Sequence, residues 1–173
     1  MASYTPDIVR SVFITGLKNA HGVEHQALAL IDRQVDHLTH YPEVADALRR
    51  HRVETEEQIV RLEEILDGFG ETHSTLKDAA LAFTGNMAAL AHVFAPDEIL
   101  KNSFANFAFE NFEAASYKSL LTIADAGGFA TATPLLTSSL NEELRMAAWV
   151  DDHNAAVTLE YLERRSAGQT ASH

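Results

Sequence analysis

Apolar residues recur at helical spacing near the start of the chain, through Phe13, Leu17, Ala20, Leu28, Ile31, Val35 and Leu38, and Glu24 alone interrupts them. A second stripe has the same form, with Leu136, Leu140, Ala147, Val150, Val157 and Tyr161 sharing a face with Glu143 and Asn154. A period of 3.6 held over so many turns fits long core-facing helices and not strands. A lone ionised carboxylate in such a core is very costly, so it is neutralised, paired or bound to a metal. Two of them, centred on two long faces, point to a polar site inside a helical bundle.

Turn signals divide the rest of the chain, and no convincing alternating pattern of a strand is present. The spacing predicts a first helix from about Asp7 to His40, interrupted by Tyr41–Pro42. A second runs from about Pro42 to Leu66 and stops at Asp67-Gly-Phe-Gly70. An alanine-rich segment from about Thr75 to Phe94 reads as a crossover helix. The third main helix starts at Pro96-Asp-Glu98 and ends near Gly127–Gly128, and the fourth runs from Thr133–Pro134 to about Arg165. Residues 166–173 read as a flexible, frayed tail. The expected fold is all-α, a ferritin-like four-helix bundle with a long crossover containing an additional helix. One domain is expected over residues 1–173, with the bundle at about 7–165.

Composition excludes several functions. The formal net charge of -12 and the scattered basic residues argue against a nucleic-acid partner. No run of eighteen or more apolar residues suggests a membrane span. The opening MASYTPDIVR lacks a basic region followed by an apolar run, so no signal peptide is expected. With no cysteine there is no disulfide, thiolate ligand or cysteine nucleophile. These features fit a cytoplasmic protein.

The remaining chemistry lies on inward faces. Glu110 and Glu113 stand three apart on the third helix and can converge on one point, with Tyr117 on the same side. On the second helix, Leu48, Thr55, Ile59 and Leu62 form the apolar face, with His51, Glu54 and Gln58 along its flank. Glu57 projects roughly opposite, though Glu54 and Glu57 also pair by spacing alone. Carboxylates and imidazoles from facing helices hold iron or manganese in bundles and leave positions open for oxygen species. The candidate metal residues are Glu24, His51, Glu54, Glu110, Glu113 and Glu143. Each has a plainer reading: a paired buried acid, a solvated helix edge, or a hydrogen-bonding histidine. His21, one turn before Glu24, could bind metal itself or donate a hydrogen bond to that carboxylate, and the second reading is preferred. Phe104, Phe107, Phe109 and Phe112 read as core and subunit-interface packing.

The chain resembles the YciF-type stress-response proteins, a branch of the ferritin-like superfamily. The resemblance is carried by Val23-Glu-His-Gln26, His51-Arg-Val-Glu-Thr-Glu-Glu-Gln-Ile-Val-Arg-Leu62, Glu110-Asn-Phe-Glu-Ala-Ala-Ser-Tyr117 and Leu140-Asn-Glu-Glu143, with Leu120, Ala124 and Gly127–Gly128 between the last two. It implies a four-helix bundle with a dimetal site and a homodimer in bacterial stress response. Glu24, Glu54, Glu110, Glu113 and Glu143 fall on its metal-facing positions, and His51 on a recurrent histidine. Ferritin-like oxidases and peroxidases use Glu-x-x-His pairs on the second and fourth helices. Here Glu57 follows Glu54 by three and Met146 follows Glu143 by three, so neither pair is intact. His21 stands where relatives often carry tyrosine.

The leading expectation is a cytoplasmic dimetal–carboxylate protein of stress protection, holding iron, as two ions, or alternatively manganese. If it turns over, peroxide or oxygen is the small oxidant it reduces. The alternative is a dimeric helical interaction protein without metal chemistry.

Overall fold

The computed structural model describes residues 5–71 and 98–172. Four helices fill most of them: α1 (Pro6–Val35), α2 (Pro42–Gly68), α3 (Glu98–Gly127) and α4 (Thr133–Ser166). The expected helix over Thr75–Phe94 lies outside the described residues. Proline stands in the first turn of α1, α2 and α4, where its missing N–H costs no hydrogen bond. Gly128 follows α3 at φ 68°, in the left-handed region open to glycine. There the N–H groups of Phe129 and Gly128 turn back onto the carbonyls of Ala124 and Asp125, at 2.8 and 3.2 Å, and close the helix.

Cross-helix contacts set the polarity. Arg52 reaches Asp32 and Lys18 reaches Glu71, so α1 and α2 are antiparallel. Gln34 pairs with Asn106 while Gly16 lies against Leu120, so α1 and α3 are antiparallel too. It follows that α2 and α3 run parallel, which separates this bundle from a simple up-down-up-down one and matches the ferritin-like arrangement.

Two apolar clusters occupy the two ends. One gathers Phe13, Leu17, Leu62, Leu66, Leu120 and Leu136, with the rings of Phe69 and Phe129 packed on Phe13. The other gathers Ile31, Leu38, Tyr41, Leu48, Ile99 and Val150. Burying an aliphatic or aromatic side chain fully contributes about 1.5–3 kcal/mol, so these clusters supply the scaffold's rigidity. Between them lies a polar band.

Two sequence expectations change, the end of the first helix and the state of the tail. The first helix stops at Val35 rather than His40, because Leu38 and Tyr41 turn inward from a non-helical segment. The tail is tied down rather than frayed. Tyr41 donates its hydroxyl to the Ala171 carbonyl at 2.7 Å, and Ser172 accepts the N–H of Ile99 at 3.0 Å at the start of α3. The phenylalanine reading of core and subunit-interface packing stands unchanged: Phe109 is buried, and Phe104, Phe107 and Phe112 are exposed.

A candidate metal centre

Each helix sends carboxylate or imidazole into the band: Glu24 from α1, His51 from α2, Glu110 and Glu113 from α3, and Glu143 from α4. All five are 5% exposed or less, which puts them as deep as the leucines on either side. One ligand atom from each of His51, Glu110 and Glu143 lies within 4.8 Å of the other two. His51 Nε2 is 3.0 Å from Glu110 Oε2 and 3.8 Å from Glu143 Oε2. Its Nδ1 is 3.1 Å from Glu54 Oε2.

Donors are scarce. Tyr117 gives its hydroxyl to Glu24 Oε1 at 2.5 Å, and Gln58 gives an amide N–H to Glu143 Oε1, also at 2.5 Å. Glu24 Oε2, Glu110 Oε2, both oxygens of Glu113 and Glu143 Oε2 have no hydrogen-bond partner. Glu110 Oε2 has His51 Nε2 beside it, an ion pair once the imidazole is protonated. What these oxygens face is one another: Glu24 meets Glu113, Glu113 meets Glu143, and Glu143 meets Glu110. Such contacts hold only if a proton or a cation lies between them.

Burial accordingly pushes Glu24 up to about 8, against the pull of the Tyr117 hydrogen bond. Glu113 and Glu143 are raised well above the carboxylate range, first by burial and then by neighbouring carboxylates. Burial opposes charge on His51, but Glu110, Glu54 and Glu143 outweigh it and push the imidazole up to about 11. Without metal the band thus keeps protons on acids and charge on the histidine.

A family model described as a domain of unknown function, DUF892, matches residues 9–163. The chain belongs to that family. The fold of this DUF892 protein is shared by a protein of Xanthomonas campestris pv. campestris, at TM-score 0.76 and 24% identity over 91% of this chain and 99% of that one. It is also shared by the E. coli stress protein YciF, at TM-score 0.67 and 20% identity over 86% of this chain and 97% of that one. The likeness is to the YciF-type branch, as the sequence motifs implied.

Within the DUF892 bundle, Glu24, His51, Glu110, Glu113 and Glu143 are brought together. Glu54 is not among them. Its side chain is about one-third exposed and joins His51 Nδ1 to Arg145, which holds its carboxyl below the usual range, through the His51 hydrogen bond above all. Glu57 projects outward and pairs with Arg61. His21 turns away from Glu24 and sets Nε2 3.2 Å from Glu63, with its ring edge-on to His25. Sequence reasoning gave no role to Gln58, Arg61 and Glu142. Gln58 is fully buried and donates to both Glu142 and Glu143, while Arg61 grips both oxygens of Glu142 at 2.5 and 2.9 Å. Spacing carried a signal for Gln58, which stands seven residues beyond His51 and therefore on the same face.

Proposed function

We propose that the band is a dimetal–carboxylate centre, with iron favoured and manganese the alternative, in a protein of bacterial stress protection. The observation that carries this reading is the set of buried carboxylate oxygens left without donors. The donor set fits the group. Four carboxylates balance two divalent cations when His51 is neutral, and oxygen with imidazole suits iron or manganese. His51 would bind through Nε2 while Glu54 holds Nδ1–H, the carboxylate–histidine arrangement that fixes tautomer and ring orientation. Glu24, Glu110, Glu113 and Glu143 would supply the remaining ligands.

A bound iron pair would supply the redox change needed to reduce peroxide or oxygen. The chain's own part is to hold charge in balance, keep the band between two apolar clusters, and let Tyr117 orient Glu24. The proposal includes a homodimer and a cytoplasmic location. Among the described residues no helix is long and apolar enough to cross a membrane.

Elemental analysis of protein purified without chelator or histidine tag, beside the Glu24→Ala/Glu143→Ala variant, tests this. About one to two equivalents of iron or manganese per chain are expected in the parent and none in the variant. No metal in the parent, even after anaerobic loading with ferrous iron, overturns the reading. The metal-free interaction protein would then stand, its carboxyl groups joined by shared protons.

A further inference from the structure

Glu143 has two chemically different oxygens. Oε1 accepts the Gln58 amide at 2.5 Å, and Oε2 is without a donor and turned toward His51 Nε2. The second hydrogen of the same amide goes to Glu142 Oε2 at 3.1 Å, and Arg61 holds Glu142 by a two-point fork. Reversing the amide would set its oxygen against two carboxylates, so its orientation is locked.

We propose that Gln58 is a positioning residue that makes Glu143 a one-oxygen metal ligand, with the Arg61–Glu142 pair as its anchor. The inference rests on the metal-centre reading. A stability role explains Gln58 poorly, because its own Oε1 is buried without a donor, a cost that an apolar side chain of similar size would avoid. What an apolar residue cannot do is occupy Oε1 of Glu143. Without that bond the carboxylate can turn and offer both oxygens to one cation, and the neighbouring position loses its share. Groups that orient metal ligands typically change affinity about 10–100-fold when removed.

The test is Mn²⁺ titration of the chelator-stripped full chain, followed by the electron paramagnetic resonance signal of free Mn²⁺, for parent and Gln58→Leu. Thermal melting of both metal-free proteins is measured alongside. Expected is about a 10–100-fold weaker Mn²⁺ affinity, with metal-free melting unchanged within a few degrees. Equal affinity in the two proteins overturns the inference and leaves the metal centre standing. Affinity and metal-free melting falling together also overturn it, since that marks a packing role. A parent that takes up neither Mn²⁺ nor Fe²⁺ overturns the metal centre itself and this inference with it. Should Gln58→Leu fail to fold, Gln58→Met, unbranched and equally unable to donate, carries the same comparison.

Discussion

Glu142 and Glu143 are adjacent on α4, both buried, and treated in opposite ways. Glu142 is satisfied from within the protein: Arg61 grips both of its oxygens and Gln58 adds a third bond. Burial opposes charge on Arg61, but the bonds to Glu142 outweigh it and raise the guanidinium further. Glu143 receives one amide and is otherwise surrounded by carboxyl groups and His51. A fold needing only stability would treat the second glutamate like the first, or replace it with an apolar residue. A buried acid that is oriented by one amide, with no cationic side chain gripping it as Arg61 grips Glu142, is what the proposed metal centre calls for.

The sharpest way to break the comparison is to remove each glutamate in turn. Glu143→Ala is expected to abolish metal uptake while leaving the metal-free protein about as stable as the parent, because a crowded, protonated acid is lost. Glu142→Ala is expected to cost about 1–3 kcal/mol in denaturant unfolding of the metal-free protein. It leaves Arg61, whose side chain is only 17% exposed, with the outward-facing Glu57 and Ser139 as partners, and the figure is discounted for those contacts and for partial access to water. Equal stability losses in the two variants would show that both acids serve packing alike.

The next effect is on pH. Glu24 is raised from 4.5 to about 8 on folding, so its contribution is whole below 4.5 and lost as pH rises through 8. Glu113 and Glu143 are raised in the same sense. His51, raised from 6.5 to about 11, adds a contribution that is whole below 6.5 and lost as pH rises through 11. Glu54 is lowered and works the other way, losing its contribution as pH falls, but it is partly exposed and small in effect. Metal-free protein should accordingly unfold more easily at pH 8 than at pH 5, each retained proton giving a slope of up to about 1.4 kcal/mol per pH unit. Metal must displace those protons, so loaded protein should show the reverse slope. Denaturant curves with and without chelator across that range check both signs. A flat metal-free profile would remove the distinction between the two glutamates.

Much of this was legible in the sequence because a helix face repeats. The stripes through Phe13 and Leu136 gave the bundle, and an acid on each stripe gave Glu24 and Glu143. Glu110 and Glu113 followed from their spacing of three. What periodicity could not give was angle at the edge of a face. Glu54 lies one turn from His51, yet the small rotation between them puts one carboxyl at solvent and the imidazole in the band. His21 shows the same limit, sharing a side of α1 with Glu24 but meeting Glu63 across the α1–α2 seam. The end of the first helix and the tail were misjudged where tertiary contacts act on them, as Tyr41 and Ala171 do for each other. Gln58, though placed on the flank of the second helix, gained no role because a neutral amide there looks like surface until the acids it serves are placed beside it.

Glu24 stands between the two cases and gives the smallest expected effect. One oxygen has a donor, Tyr117, and the other has none. The hydroxyl favours the ionised carboxylate, and it works against the burial that raises Glu24 to about 8. Tyr117→Phe removes that donor and keeps the ring that packs with Leu17, Leu62 and Leu120. Glu24 should then titrate above its present value, and the metal-free protein should lose about 1 kcal/mol, the typical net worth of one hydrogen bond. Carbon-13 carboxyl shifts followed against pH read the first change, and denaturant unfolding reads the second. If Tyr117→Phe moved Glu24 downward, the phenol would be stabilising the protonated acid, and Glu24 would belong with Glu142, satisfied from within the protein, rather than with Glu143.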